Sequence, residues 1–427
     1  MIVNPCILQD MIYYHNRADD IDINAVGCEL SEWEADEIAK AVLPRSVVLN
    51  TCAVTENSQK ASILVAKMLK KIYPDRNLFI CGCGINYNEE DYKELGAILL
   101  PNEKKDNKGF YENKVIRNPD EVAYIKVQEG CNNHCAYCVV NKLRPVLKSF
   151  SYERIKSQII DYLNNGKYNF QIIGTEICLY NSDDLTIDTL CEKILKDFPE
   201  IKTLSLNALN PSSRKIEKII DLMNKDTRLQ KQLYLSVQSG SNTILNRMHR
   251  AYDRDRIKEI CNYDKEVKTY WDLVCGFPGE TEEQFQETVE LIKELQPEEL
   301  MICPYSDRNG TESFTLPDHL SCEEIMKRAN ILKSLIRKTE HKALKTEGSE
   351  IVLDLYDNEE VARFCRENTS SDIVIYTPYR GIDDNFEVNL KMISVRFQVR
   401  FVFMNKTNKS IENQEEFLEY YNGNKII

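Results

Sequence analysis

Short apolar runs alternate with amphipathic stretches over the first hundred residues. The runs "IDINAVGC", "SVVLNTC" and "NLFICGC" predict strands. Between them, "LSEWEADEIAKAVL" and "ENSQKASILVAKMLKKI" predict helices, the first with Ile38, Ala41 and Val42 on one face. Alternating strands and helices favour a parallel sheet covered by helices, so residues 1–100 are expected to form an open α/β domain.

A polar, charged stretch at residues 101–121 predicts a linker. A second alternation begins at "AYIKVQEGC" and continues through "FQIIGTE", "TLSLNAL", "LYLSVQS", "YWDLVCGF" and "EELMICPY", with helical stretches such as "SYERIKSQIIDYLNN" and "TEEQFQETVELIKEL" between them. Six strands with their helices predict a partial parallel (β/α)6 barrel over residues 122–345, whose chemistry lies in the loops at the strand carboxyl ends. Its last segment, from "SCEEIMKRAN" to "KTEG", predicts a long exposed helix.

The pattern changes again near the C-terminus. "EIVLDLY", "SDIVIYTPY" and "FEVNLKMISVRFQVRFVFM" are rich in strand-forming residues, which predicts a small β-rich domain over residues 346–427. The fold class expected for the whole chain is therefore α/β, with an open N-terminal sheet, a central partial barrel and an appended β domain.

Composition narrows the function. The chain has 427 residues, 42% of them hydrophobic and 29% charged, and no apolar run long enough for a membrane helix. The first twenty residues lack a secretory pattern, so we expect a cytoplasmic protein with no membrane partner. Fifteen cysteines in that compartment indicate metal or redox chemistry, because disulfides rarely persist there. The net charge of −13 is weak evidence against nucleic-acid binding, because contacts to many phosphates require a basic surface.

Three cysteines follow the first predicted barrel strand in the spacing C-x3-C-x2-C. Cys131, Cys135 and Cys138 are candidate thiolate ligands of an iron–sulfur cluster, and three ligands for four irons leave one iron open. A structural zinc site is the alternative, with His134 as a candidate ligand, although zinc motifs usually add a second pair of cysteines or histidines.

A second set of cysteines is spread over the N-terminal sheet. Cys28, Cys52 and Cys83 each come just past the end of a predicted strand. Ligands of open α/β sheets bind beyond the carboxyl ends of the strands, so these three cysteines are expected to converge at one edge.

The barrel motif resembles the radical S-adenosylmethionine (SAM) superfamily, whose spacing it shares together with an aromatic residue, Tyr137, before the third cysteine. The resemblance implies that Cys131, Cys135 and Cys138 hold a [4Fe–4S] cluster whose open iron binds SAM. Reductive cleavage of SAM would then give methionine and a 5′-deoxyadenosyl radical that abstracts a hydrogen atom.

Taken together, the motifs resemble one family within that superfamily, the methylthiotransferases. "GCELSEWEAD", "NTCAVTENSQKAS" and "CGCGINYN" are similar to its three N-terminal cysteine motifs. "LSVQSGSNTILNRMHRAYDRD", "DLVCGFPGETEEQFQETV" and "CPYSDRNGT" are similar to its barrel motifs, in the same order. The resemblance covers about residues 27–343.

This resemblance implies an enzyme that converts an unactivated C–H bond to C–S–CH3. Cys28, Cys52 and Cys83 would hold a second [4Fe–4S] cluster that carries the sulfur, while one SAM supplies the methyl group and another the radical. Cys81 competes with Cys83 for the third ligand position, and the motif places the ligand after a glycine, which favours Cys83. The remaining cysteines are interpreted as buried apolar residues.

The resemblance also implies contacts to the cofactor and substrate. The residues expected to approach SAM are Gly174, Thr175, Glu176, Ser205, Gln238 and Arg247, besides Tyr137. Arg144 is the candidate substrate contact. Relatives usually have a proline and then Arg-Gly in this segment, whereas this chain has Asn141 and then Arg144 followed by Pro145, which puts the substrate in doubt.

Two substrates are compatible with these motifs. "NTCAVT" looks more like the branch that modifies a hypermodified adenosine of tRNA, whereas the acidic charge and the unusual C-terminal domain suit a polypeptide, either a ribosomal protein or a precursor peptide. An electron donor such as flavodoxin or ferredoxin is an expected partner. The third alternative is an iron–sulfur sensor without activity, and the presence of both cysteine sets together with the SAM motifs argues against it.

Overall fold

A computed structural model describes residues 13–18, 21–27, 29–39, 42, 44–100 and 122–335, together with four strands between residues 351 and 411. The chain divides into two compact units, one comprising Asn16–Arg337 and the other Met1–His15 with Lys338–Ile427. Within the described residues, no helix combines the length and the apolar character needed to cross a membrane.

Parallel strands form the core of the N-terminal part. Its elements are β1 (Tyr13–Ala18), β2 (Ile21–Val26), α1 (Glu29–Ala39), β3 (Ser46–Thr51), α2 (Glu56–Ile72), β4 (Asn77–Gly82), α3 (Cys83–Tyr87), α4 (Glu90–Lys93) and β5 (Ile98–Leu100). β2, β3, β4 and β5 pair in that order and all run parallel. Every residue of β3 is buried, as expected for a central strand covered on both faces.

Local sequence signals explain where α2 begins. Thr55 precedes the helix with extended backbone, and its hydroxyl accepts a hydrogen bond from the backbone N–H of Ser58 at 3.1 Å. The Ser58 hydroxyl in turn accepts from the N–H of Thr55 at 3.0 Å, which completes a capping box. This cap lies three residues after Cys52 and leaves that cysteine in the loop at the sheet edge.

Six parallel strands with helices between them form the second part, together with three two-residue strands that pair antiparallel. The elements are β6 (Ala123–Glu129), α5 (Val140–Leu143), β7 (Lys148–Ser149), α6 (Tyr152–Asn164), β8 (Asn169–Gly174), β9 (Asn181–Ser182), β10 (Leu185–Thr186), α7 (Ile187–Asp197), β11 (Thr203–Leu206), α8 (Ile216–Lys225), β12 (Gln232–Gln238), α9 (Asn242–Arg247), α10 (Arg254–Tyr263), β13 (Lys268–Cys275), α11 (Glu282–Leu295), β14 (Glu299–Pro304) and α12 (Cys322–Ser334).

The order of these strands is that of a partial barrel. β6 pairs with β8 and β8 with β11, while β12 pairs with β13 and β13 with β14, all in parallel. Two isolated parallel bridges, Leu204 with Leu229 and Leu209 with Leu235, join the β11 and β12 segments. The predicted fold class is confirmed, and the nine strands predicted from the apolar runs of the two parts are all present.

The last helix of this part differs from the prediction. α12 was expected to be exposed, but Ile325, Ala329 and Leu332 are buried in the barrel core. Gly276, at the end of β13, makes the close approach possible: a Cβ there would lie 2.6 Å from Ile325 Cγ1. The apolar face of α12 therefore covers the last strands of the barrel.

The other unit contains four described strands near the C-terminus, β15 (Ile351–Leu353), β16 (Asp372–Tyr376), β17 (Arg400–Met404) and β18 (Ser410–Ile411). They form one sheet in chain order, parallel from β15 to β17 and antiparallel between β17 and β18. The domain boundaries near residues 100, 121 and 345 stay predictions, and the linker at 101–121 lies outside the described residues.

Candidate functional site

The cysteines of the C-x3-C-x2-C motif lie in the loop between β6 and α5, at the carboxyl end of the first barrel strand. Gly130 opens this loop with a φ of +77°, and a Cβ there would collide with the carbonyl group of Val146. The N–H of Cys138 donates to the carbonyl of Cys135 at 3.0 Å. A tight turn therefore presents Cys131, Cys135 and Cys138 from one side of the strand end, and all three are partly exposed.

Hydrogen-bond donors point at two of these sulfur atoms. Arg250 donates from Nη1 to the Sγ of Cys135 at 3.1 Å, and the N–H of Val140 lies 3.4 Å from the Sγ of Cys138. Tyr252 and the carbonyl of Ser236 fix the guanidinium of Arg250. Cluster thiolates are stabilised by such donors, so the donor set fits an iron–sulfur cluster. Arg250 was not singled out from the sequence, although it lies within the motif segment "NRMHRAY".

Burial favours the protonated form of two of these thiols. It raises the pKa of Cys138 to about 12, and it is also the main reason why the pKa of Cys131 is raised. Iron binding must therefore displace protons, and the Arg250 guanidinium favours the thiolate form. Within the described part of the chain, no three His, Cys, Asp or Glu side chains are gathered so as to hold a single metal ion. The side chain of His134 is exposed.

The residues after β8 border the same loop. Gly130 donates its N–H to the hydroxyl of Thr175 at 3.1 Å. Glu176 accepts hydrogen bonds from the side-chain amides of Asn133 at 3.3 Å and Asn210 at 3.1 Å. Burial raises the pKa of the Glu176 carboxyl. Thr175 and Glu176, with Gly174 at the strand end, therefore form the wall of the site beside the cysteine loop.

Asn133 and Asn210 were not identified from the sequence. Nothing in their local pattern distinguishes them from ordinary loop asparagines, because their common partner, the Glu176 carboxylate, becomes visible only when three loops meet.

The other expected SAM contacts lie at or near strand carboxyl ends. Gln238 closes β12 with a φ of +64°, and Arg247 places its guanidinium over the Phe277 ring at 5.6 Å. Gly279 leaves room for that guanidinium, since a Cβ there would lie 2.6 Å from Arg247 Nη1. Tyr137 packs against a small apolar cluster that includes Phe277.

Ser205 is placed differently. It lies within β11 rather than beyond it, and its hydroxyl donates to the carbonyl of Phe170 on the neighbouring strand at 3.3 Å. Its contact with SAM, like those of the other six residues, stays a prediction.

Two of the three N-terminal cysteines are adjacent in space. Cys52 and Cys83 directly follow β3 and β4, whose last residues, Thr51 and Gly82, are paired across the sheet. Both cysteines are buried, with 9% and 8% of their surface exposed. Burial, and then the nearby Cys83, raise the pKa of the Cys52 thiol.

The third predicted ligand of this set, Cys28, lies outside the described residues. Its neighbour Gly27 contacts the site: a Cβ on Gly27 would stand 3.1 Å from the Cβ of Cys52. Cys81 lies inside β4, fully buried, with its Sγ directed at the carbonyl of Leu49. This burial was expected for Cys81, and the ligand role of Cys83 stays a prediction.

Glycines make the tight geometry around Cys83 possible. Gly82 has a φ of +96°, and a Cβ there would meet the backbone of Thr51 and the amide oxygen of Asn50. A Cβ on Gly84 would lie 2.6 Å from the hydroxyl oxygen of Thr51 and 2.5 Å from that of Tyr92. The "GCG" segment therefore lets β4 turn into α3 against the neighbouring strand.

The two cysteine sets meet at a small buried cluster made of Ala53, Cys83, Val139 and Leu143, with Tyr87 packed against it. Ala53 follows Cys52 in the chain, and Val139 follows Cys138. The structure thus places one N-terminal cysteine against the helix that follows the last barrel cysteine.

Arg144, the predicted substrate contact, is buried in an ion network. Its guanidinium donates to both oxygens of Glu34, at 2.7 and 2.9 Å, and to Glu129 at 2.9 Å. Lys126 donates to the same two carboxylates at 3.3 and 2.9 Å. Glu34 belongs to α1, whereas its partners Arg144 and Lys126 belong to the barrel.

A second barrel arginine reaches the N-terminal part. Arg308, in the loop after β14, lies over the Tyr87 ring at 4.1 Å and donates to the amide oxygen of Gln59 at 2.9 Å. Nearby, the N–H of Glu56 donates to the hydroxyl of Ser306 at 2.9 Å. Arg308 lies within the motif "CPYSDRNGT", but that motif alone predicted no role for it.

Among the described residues, the cysteines outside the two sets are mostly buried. Cys178, Cys191, Cys261 and Cys275 are buried, Cys303 is partly exposed and Cys322 is exposed on α12. Burial raises the pKa of Cys178 and of Cys275 to about 12. The buried thiols therefore have the properties of small apolar side chains.

Comparison with known proteins finds similarity to a radical SAM family model and to tRNA methylthiotransferases. A family model of the radical SAM superfamily matches residues 125–292. A threonylcarbamoyladenosine tRNA methylthiotransferase, MtaB of Rickettsia prowazekii (strain Madrid E), is 28% identical over 329 residues, covering 69% of this chain and 78% of the relative. A tRNA-2-methylthio-N(6)-dimethylallyladenosine synthase of Finegoldia magna is 26% identical over 358 residues, covering 72% of this chain and 77% of the relative.

Among solved structures, a radical S-adenosylmethionine methyltransferase, TsrM from Kitasatospora setae, aligns with a TM-score of 0.48 and 14% identity. The alignment covers 67% of each chain.

Proposed function

We propose that this chain is a radical SAM methylthiotransferase that attaches a methylthio group at an unactivated C–H position of a hypermodified adenosine in tRNA; the radical SAM family model and the two tRNA-modifying relatives support this proposal. Of the two relatives named above, one is a threonylcarbamoyladenosine tRNA methylthiotransferase and the other a tRNA-2-methylthio-N(6)-dimethylallyladenosine synthase. Each alignment covers more than two thirds of this chain.

Enzymes of the radical SAM superfamily use SAM and a [4Fe–4S] cluster. Cys131, Cys135 and Cys138 would hold that cluster here. When bound, it supplies the electron for SAM cleavage. The surrounding residues position the cofactor: the Glu176 carboxylate, oriented by Asn133 and Asn210, suits the SAM amino group.

Cys28, Cys52 and Cys83 would hold a second cluster that carries the sulfur to be transferred. The observation that carries this proposal is the group of buried apolar side chains that the two cysteine sites share. In it, Cys83 packs with Val139 and Leu143 of the barrel loop. Two iron–sulfur sites can act on one substrate only if they lie close together. The buried, apolar surroundings of Cys83 would also keep water from a reactive sulfur species.

The remaining contacts orient the reaction partners. Arg250 donates a hydrogen bond to the sulfur of Cys135 and would stabilise the negative charge of the three thiolates when they hold the cluster. Phe277 belongs to the loop "GFPGET" and Arg247 lies over its ring, so this pair would hold the adenosine part of SAM. Tyr137, packed against the same apolar cluster, would hold the cysteine loop in place.

The test uses anaerobically reconstituted full-length protein with a chemical reductant and SAM. Iron content, 5′-deoxyadenosine and digested tRNA nucleosides are measured with two tRNA pools, one carrying threonylcarbamoyladenosine and one dimethylallyladenosine. Roughly eight irons per chain and a methylthio adenosine from one pool would support the proposal. Roughly four irons would remove the second cluster from it.

The negative charge of −13 makes a polypeptide the second candidate substrate. In the same assay, SAM cleavage with two clusters but with no product from either tRNA pool would favour that alternative. Absence of SAM cleavage would contradict the proposed reaction itself.

A further inference from the structure

We propose that the buried ion network of Arg144, Glu34, Lys126 and Glu129 is a positioning device that fixes the two cysteine sites relative to each other. Arg144 then acts through the protein framework and does not bind substrate. This inference rests on the proposed function, because it assumes that both cysteine sites hold clusters.

The network joins elements that belong to different sites. Glu34 lies on α1 and is held from the N-terminal side by Asn50, whose amide donates to it at 3.1 Å. From the barrel side, Arg144 donates to the same carboxylate with two nitrogens, in the bidentate geometry that defines both distance and angle. The Glu34 carboxylate therefore accepts hydrogen bonds from both the N-terminal part and the barrel.

Both ends of the network lie next to cysteines. Asn50 precedes Cys52 by two residues, and Glu129 precedes Cys131 by two residues. The backbone carbonyl of Arg144 also accepts the N–H of Cys131 at 3.4 Å. A short chain of contacts thus runs from the residue beside the N-terminal site to the first cysteine of the barrel site.

The burial of these charges argues for a specific geometry. The side chains of Arg144, Glu34 and Lys126 are at most 4% exposed, while that of Glu129 is 17% exposed. Burying charges is costly, and a network of this kind often contributes little net stability compared with apolar packing. Its directional hydrogen bonds, however, permit only one arrangement of α1 against β6, which an apolar contact would not enforce.

Transfer between two sites is sensitive to their separation. A displacement of about 1 Å can lower the rate of a reaction step by roughly 10²-fold. The apolar cluster around Cys83 and Val139 provides contact between the sites, whereas the ion network prevents sliding. Loss of the network should therefore uncouple SAM cleavage from product formation without removing either cluster.

The experiment compares Glu34→Gln and Arg144→Lys with the wild-type enzyme, all reconstituted and tested with the tRNA pool that gives product. Glutamine retains the shape of glutamate but not its charge, and lysine retains the charge of arginine but not its fork. We expect both variants to keep their iron and cleave SAM at rates within about twofold of wild type. Product per 5′-deoxyadenosine should fall, by up to roughly 10²-fold for Glu34→Gln.

A spectroscopic readout reports the geometry without product. In the reduced protein, the magnetic interaction between the two clusters depends on their separation, so its electron paramagnetic resonance signature should change in both variants. Arg228→Lys is the matched control. Arg228 makes a bidentate pair with Asp226, at 2.9 and 2.6 Å, before β12 at the end of the barrel away from the site.

Three outcomes would overturn the proposal. If a two-cluster protein kept both its yield of product per 5′-deoxyadenosine and its electron paramagnetic resonance spectrum in the two variants, the proposal would be contradicted and the proposed function would stay intact. Loss of iron in both variants would make the network a requirement for cluster binding instead. A defect of Arg144→Lys that saturating tRNA restores, with Glu34→Gln unaffected, would make Arg144 a substrate contact. If the wild type holds only one cluster, the proposed function fails first.

Discussion

The two cysteine sites differ in how the chain builds them. The barrel site is one loop of eight residues spanning Cys131 to Cys138, and its three cysteines are partly exposed. The N-terminal site draws Cys52 and Cys83 from the ends of two neighbouring strands, and both are buried. The structure thus shows a difference in burial between the two cysteine sets: the barrel cysteines are partly open to solvent, whereas Cys52 and Cys83 are closed in by packing.

The sharpest test of this comparison removes one cysteine from each site. We expect Cys135→Ala to abolish SAM cleavage and product formation together, because it would remove one of the three proposed ligands of the radical cluster. Cys52→Ala should abolish product formation but leave SAM cleavage, with about half the iron retained. Iron content and 5′-deoxyadenosine measure the two outcomes. Full product formation by Cys52→Ala would show that the N-terminal site has no catalytic role.

The closed packing of the N-terminal site can be tested through stability. Gly82→Ala should lower the free energy of unfolding by about 3 kcal/mol, because its Cβ would collide with the Thr51 backbone and its φ of +96° disfavours alanine. The midpoint of chemical unfolding of the reconstituted protein measures this loss.

Gly96 offers a matched control in the same region. It has a φ of +59°, and no atom lies within 4 Å of the position that a Cβ would take, so Gly96→Ala should cost only about 1 kcal/mol. Equal costs at the two positions would mean that the backbone at Gly82 can relax and that the site is packed less closely than its contacts indicate.

The open site is expected to respond to charge. Arg250→Gln removes a cation that donates to Cys135 Sγ, and reduction of a cluster adds negative charge that this cation stabilises. The reduction potential of the barrel cluster should become more negative by roughly 60 mV, equivalent to a tenfold change for one electron. Potentiometric titration measures it, and the potential of the N-terminal cluster serves as the internal control.

The smallest effect concerns a buried cysteine outside both sites. Burial raises the pKa of Cys178 to about 12, so below that pH its thiol stays protonated and unreactive. In the folded protein at about pH 8, iodoacetamide should modify Cys322, which is exposed to the reagent, and leave the buried Cys178 intact. Peptide mass spectrometry detects the difference, and rapid modification of Cys178 would show that the barrel opens readily near β8.

Much of this architecture could be predicted from the sequence. The period of the apolar runs predicts most of the parallel strands of the two α/β parts, since strand and helix spacing are local properties of the chain. The barrel cysteines are also local, because their spacing alone places three thiols in one loop. The boundary of α2 follows from Thr55 and Ser58, which act within one helical turn.

Contacts between distant residues could not be predicted in this way. The motif singled out Arg144, but it did not predict the two carboxylate partners of this arginine, which lie 110 and 15 residues away. Likewise Arg250 and the asparagines beside Glu176 acquire partners only where loops from different strands meet. The sequence of α12 suggests an exposed charged helix because its buried apolar positions, Ile325, Ala329 and Leu332, are few.

The sequence by itself thus determined the strands, the helix starts and the spacing of the barrel cysteines, because these depend on residues close together in the chain. Only the tertiary structure decided that Cys83 packs beside the barrel cysteine loop, that Glu34 pairs with Arg144, and which site is open. Such contacts depend on which apolar surfaces pack together and which buried charges pair across the fold. The spacing of residues along the chain does not encode these pairings.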